Sequence, residues 1–145
     1  MSVASPPLSA CLCDSLRQAT RTVTRLYDDA LRPVELRITQ FSILAQLARE
    51  GEARVRDLGN ALLLEETTLT RSLRPLEERG WVAIRAGDDR RERHVAISAE
   101  GRKVLARAAP LWQAVQSEMR ERLGEPAWNT LFRALPKAAH AAQEA

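Results

Sequence analysis

The segment from Arg54 to Gly101, RVRDLGNALLLEETTLTRSLRPLEERGWVAIRAGDDRRERHVAISAEG, constrains this chain more than any other. Two short helical patterns are followed by two short strand patterns joined by an arginine-rich tip. In the second helical pattern Leu69, Leu73 and Leu76 fall at i, i+4 and i+7, which puts them on one face. At about 100° per residue the opposite face carries Thr67, Arg71, Arg74 and Glu78, with Thr68 and Thr70 on its flanks. Arginine can grip guanine edges bidentately, and threonine can serve a base edge or a phosphate. Taken alone, the same pattern also fits an ordinary amphipathic helix with a solvated polar face. The next stretch adds to it. Trp81 to Ile84 and His94 to Ser98 read as paired strands, and Gly87-Asp88 supports a turn between them. Arg90, Arg91 and Arg93 crowd the tip. A tip this narrow can enter a minor groove, whose negative potential attracts arginine. Helix pair, hairpin and basic tip together predict a mainly α fold with a small β-hairpin wing, a winged helix-turn-helix.

The runs LTRSLRPLEERGWV and DRRERHVAISAEG resemble the multiple-antibiotic-resistance-regulator (MarR) family of bacterial transcription factors. The resemblance extends from about Cys11 to the C-terminal helix. It implies a homodimer on double-stranded DNA with a palindromic operator. It also implies a wing signature Asp-x-Arg, met by Asp89 and Arg91, in which the aspartate holds an arginine in position and the wing arginine reaches the minor groove. The expected DNA-binding set is therefore Arg54, Thr67, Thr68, Thr70, Arg71, Arg74, Asp89, Arg90, Arg91 and Arg93. The expected function is sequence-specific, dimeric DNA binding: a repressor released by a small organic anion or by oxidation. A winged-helix protein-interaction module without DNA binding is the alternative, and the basic face and tip argue against it.

A chain of 145 residues is naturally one domain. Its expected division is a disordered tail over residues 1–7, a winged region over about 38–98, and dimerisation helices over about 8–31 and 99–145. A net charge of only +3 does not announce a nucleic-acid partner, but sorting matters more than the sum. Arg54, Arg56, Arg71, Arg74, Arg90, Arg91 and Arg93 all fall in the winged region. Only Lys103 and Lys137 are lysine, and arginine suits bidentate phosphate and base contacts; a GC-rich genome would give the same bias. The sequence holds no apolar run of membrane-spanning length. Its start lacks the basic and apolar regions of a signal peptide, so a cytoplasmic protein is expected. Two cysteines there do not make a disulfide framework.

A first helix is expected from about Leu8 to Leu31, with Leu12, Leu16, Ala19, Val23, Leu26 and Ala30 at helical spacing, broken by Arg32-Pro33. A second runs from Ile38 to Arg49, capped by Thr39 and ended by Gly51. A third spans Arg56 to Leu62. The fourth, Glu66 to Arg79, contains Pro75, which removes one backbone bond and should bend it. Ser98 with Glu100 starts a fifth helix, running to about Leu123, in which Pro110 should give a kink. Pro126 opens a sixth, carrying Trp128, Leu131, Leu135 and Ala138. The first, fifth and sixth are too apolar for the winged region alone, and a two-fold dimer would bury the surplus.

No phosphate-cradling loop, metal spacing or catalytic set is present, so neither a cofactor nor an enzyme is expected. His94 and His140 lie in unrelated elements, and His94 reads as a strand residue near phosphate. A regulator nonetheless needs an input. The run CDSLRQATRTVTRLY resembles the start of the organic-hydroperoxide-sensing branch of the family, with Cys13 at its peroxidatic cysteine and Tyr27 at a partner tyrosine. The second tyrosine of that pattern is Arg17 here. On one helix Cys13 and Tyr27 would lie about 21 Å apart, so they could meet only across a dimer. Cys11, if helical, would point about 160° away from Cys13. Both cysteines also fit simple interface packing. The family resemblance equally implies a phenolic or aromatic carboxylate effector, with Arg17, Arg21 or Arg37 pairing its charge and Trp112 lining the wall.

Overall fold

The computed structural model describes residues 4–145; residues 1–3 of the expected tail lie outside the described residues. The element order is α1 (Leu12–Leu31), α2 (Ile38–Glu50), β1 (Glu52–Arg54), α3 (Val55–Leu62), α4 (Glu66–Glu78), β2 (Val82–Ala86), β3 (Arg93–Ile97), α5 (Ala99–Leu123) and α6 (Glu125–Glu144). This is the expected mainly helical fold, with two departures at element starts. A 3-10 turn covers Leu8–Ala10, so α1 begins only at Leu12. Cys11 is extended and caps the helix, its Sγ accepting from Asp14 N at 3.4 Å. The helical angle expected between Cys11 and Cys13 therefore does not apply. Helix α2 is capped at Arg37, whose N–H donates to the Gln40 side chain at 3.0 Å, and Thr39 sits inside the helix instead.

Strand β1 was not legible. It is three residues long and mostly polar, and it exists because Glu52, Ala53 and Arg54 pair antiparallel with Ala96, Val95 and His94. Strand β2 pairs the other edge of β3, from Val82 against Ile97 to Ala86 against Arg93. The wing is thus a three-stranded sheet in the order β1-β3-β2.

The core lies between α2, α3, α4, the sheet and the start of α5. Leu44, Leu47, Leu58, Leu69, Leu76 and Val95 are fully buried there. Fully burying one such side chain contributes about 1.5–3 kcal/mol. Because Leu69, Leu73 and Leu76 face inward, the polar face of α4 is fixed outward. Three helix-ending turns share one bonding pattern, in which a residue with positive φ lets its own N–H and the next one reach back into the helix. Glu35 (φ 58°) ends the 3-10 turn Arg32–Val34 that follows α1, Leu63 (φ 52°) ends α3, and Gly80 (φ 73°) ends α4. Their bonds are Leu36 N to Leu31 O, Leu64 N to Gly59 O and Trp81 N to Leu76 O.

The outer helices are covered differently. In α1 only Leu31 is buried, and in α6 nothing is. Leu12, Val23, Leu131, Phe132 and Leu135 are exposed. Helix α6 packs against α5, and Trp128 lies 4.8 Å from Phe132, centroid to centroid. No described helix is long and apolar enough to cross a membrane.

Candidate nucleic-acid interface

The outward face of α4 carries Thr67, Thr68, Thr70, Arg71 and Arg74, all exposed. Glu66, Thr67, Thr70, Arg71, Arg74 and Glu77 form one wall of an open cleft of about 750 Å³, with Ile84 and Arg93 of the wing opposite. Arg93 Nη2 reaches Thr70 Oγ1 across it at 3.5 Å. Pro75 has no N–H to bond the carbonyl of Arg71, yet α4 continues through it to Glu78.

The wing tip is closed by three bonds. Gly87 N donates to Glu92 O at 2.7 Å, and Glu92 N to Asp89 O at 2.9 Å. Asp89 Oδ1 accepts from the backbone N–H of Arg91 at 3.1 Å. Asp89 therefore shapes the turn that projects Arg91, through the backbone rather than through a guanidinium. A second cleft, about 430 Å³, is bounded by Arg54, Arg56 and Glu66 on one side and Asp89, Arg91 and Arg93 on the other.

Charge pairing sorts the arginines. Among the described residues, Arg71, Arg74, Arg90, Arg91 and Arg93 form no ion pair, whereas Arg54 and Arg85 do. Arg54 Nε donates to Asp57 at 2.9 Å and its Nη1 to Glu92 at 3.2 Å. The hydrogen bond to Asp57, and then the one to Glu92, hold its pKa above the usual arginine value. Arg54 thus ties the start of α3 to the wing. His94 is half-buried between Glu52 at 3.9 Å and Glu92 at 3.8 Å, so carboxylates occupy the surroundings expected for phosphate.

Cys13 and Tyr27 lie toward opposite ends of α1, the separation expected within one chain. Cys11 and Cys13 are both exposed. Tyr27 donates its hydroxyl to Gln116 of α5, and burial raises its pKa. Arg17 and Arg21 line one shallow cleft on α1; Arg37 lines another with Arg25 and Arg79. Trp112 stacks on Phe41 at 5.8 Å and packs against the core.

Comparison with known proteins fits this geometry. The MarR family model matches residues 36–92. An uncharacterized HTH-type transcriptional regulator of Bacillus subtilis, YwoH, is 33% identical over 92 residues, 63% of this chain and 67% of that protein. The match to SarZ of Staphylococcus saprophyticus spans 64% of that protein at 27% identity. The transcriptional regulator MosR of M. tuberculosis, solved in complex with DNA, superposes with a TM-score of 0.84 at 36% identity, covering 92% of this chain and 97% of MosR. The repressor CouR, solved on a 23-mer DNA duplex, superposes with a TM-score of 0.80 at 26% identity, covering 96% and 99%.

Proposed function

The chain belongs to the MarR family of DNA-binding transcriptional regulators, and from that premise we propose that it acts as a homodimeric repressor whose α4 helices read an operator while its wings flank it. One observation carries this reading. Arg71, Arg74, Arg91 and Arg93 line two adjoining clefts and, among the described residues, form no ion pair, although Glu66, Glu77, Asp89 and Glu92 line the same clefts; unpaired guanidiniums there suit phosphates and base edges. A small organic anion held between the outer helices and the winged region is less favoured, since Arg17 and Arg21 line a different cleft from Arg37 and Trp112 stacks on Phe41. Oxidation is the input we favour, because the Cys13 thiol is exposed in the first turn of α1 and Cys11 is exposed at its cap, on a helix that leaves Leu12 and Val23 uncovered.

The test begins with sites selected from random DNA. Arg71→Ala and Arg74→Ala should each weaken binding to the selected site by about 1–3 kcal/mol if they read bases. Arg91→Ala should weaken binding while the dimer persists in sedimentation. Unchanged affinity in all three variants would overturn the reading. For the input, cumene hydroperoxide should release wild-type protein from that site and spare Cys13→Ser. Equal release, or none, leaves Cys13 as interface packing.

A further inference from the structure

The C-cap residue of α4 makes three contacts that the DNA-binding reading does not use. Arg79 sits at the C-terminal boundary of α4, held there by the Gly80 turn. Its guanidinium lies over the Trp81 ring, 4.9 Å from the centroid. Its Nη1 donates to the main-chain oxygen of Glu35 at 2.9 Å, with the Glu35 carboxylate at 3.9 Å. Glu35 is the left-handed residue in the turn between α1 and α2. That same turn is held from the α1 side, where Asp28 Oδ1 accepts from Ile38 N at 2.8 Å and Asp28 Oδ2 faces Arg37 at 3.8 Å.

We propose that Arg79 is a positioning residue for operator spacing: it fastens the end of α4 to the α1–α2 turn and so limits how far the winged lobe can rock against α1. The inference rests on the dimeric DNA-binding reading above. The turn is one of two places where the chain passes between the outer helices and the lobe; the other is the step from β3 into α5. A short connection of this kind absorbs rigid-body rotation of one body on another. In a dimer joined through the outer helices, any rocking changes the separation of the two α4 helices. The contact is strong for its position. One end of it is charged, a hydrogen bond to a charged group outweighs a neutral one, and stacking on Trp81 restricts the side chain that makes it. Arg79 lines a cleft with Arg25, Asp28, Arg32 and Pro75, apart from the cleft that holds Arg71 and Arg74.

The experiment uses the full chain and the selected two-half-site operator, with versions carrying one base pair more and one fewer between half-sites. Each such change moves a half-site by about 3.4 Å and rotates it by roughly 35°. Wild type should discriminate against both. Arg79→Met keeps the stem and removes the donors; its discrimination should narrow by about tenfold, the scale of one hydrogen bond to a charged group. Its salt dependence should stay that of wild type, because no phosphate contact is lost. Glu35→Gly retains the accepting carbonyl and the left-handed turn, and should keep wild-type spacing selectivity. A general loss of stability would lower affinity for all three operators equally and leave their ratios unchanged. Wild-type ratios in Arg79→Met, or a salt slope reduced by about one, would overturn the proposal. A wild type that binds no two-half-site DNA would instead overturn the functional reading beneath it.

Discussion

At the scale of single residues, backbone geometry singles out two positions. A Cβ added at Gly101 would lie 2.1 Å from Trp81 O and 2.8 Å from Ile97 Cγ1. The start of α5 therefore presses directly on the backbone leaving α4, near where Ser98 Oγ accepts from Gly101 N. Gly101→Ala should destabilise the fold by about 1–3 kcal/mol, the usual cost of overpacking. Thermal unfolding would show it, and an unchanged midpoint would mean that this junction is slack. Leu63 is the reverse case. It is 64% exposed yet held at φ 52°, a conformation that costs an L residue roughly 1–2 kcal/mol relative to glycine. Leu63→Gly should raise stability by up to about 1 kcal/mol after the entropy of the more flexible unfolded chain is counted. A fall in the denaturant midpoint would show that the Leu63 side chain makes contacts that outweigh its backbone strain.

At the scale of elements, two ties set how neighbours meet. Arg54 joins β1 and α3 to the wing through Asp57 and Glu92. Arg54→Ala should leave the helices folded but speed amide exchange in Arg93–Ile97; protection equal to wild type would assign the wing's order to the β-ladder alone. The corner between α5 and α6 is tied by Arg120, whose Nη2 meets Glu125 at 3.0 Å. That hydrogen bond holds the Glu125 pKa below its ordinary value. A depressed carboxylate contributes above its unfolded pKa and loses that contribution as pH falls through the folded one. Acid titration should therefore loosen the corner below the ordinary carboxylate range. Fluorescence of a variant retaining only Trp128 should report the step, and Glu125→Gln should abolish it.

At the scale of the whole molecule, the balance of burial points outward. The winged region has a closed core, but α1 and α6 leave Leu12, Val23, Leu131, Phe132 and Leu135 in solvent. Exposed apolar side chains on two outer helices suit burial against another chain, which is the support for a dimer in our reading. Truncation before Leu123 should give a product that aggregates or is monomeric and has lost operator binding. A soluble truncated protein with full affinity would place the dimer contact elsewhere.

The amino-acid sequence determined helix α4 and its orientation by itself, because Leu69, Leu73 and Leu76 at helical spacing leave the Thr67, Arg71 and Arg74 side only one way to face. It determined the wing as a basic hairpin too, since the turn residues and the alternating strands are local signals. It could not show β1, whose three residues carry no pattern and are a strand only because β3 lies beside them. Nor could it say which arginines remain free. Arg54 and Arg91 look alike in the chain; one is paired with two carboxylates distant or near in sequence, and the other is not. The same holds for Arg79, whose partner Glu35 stands 44 residues away. Pairing of charges is a property of distance in space: the β1–β3 ladder brings Arg54 beside Glu92, and the packing of α4 near the α1–α2 turn brings Arg79 to Glu35.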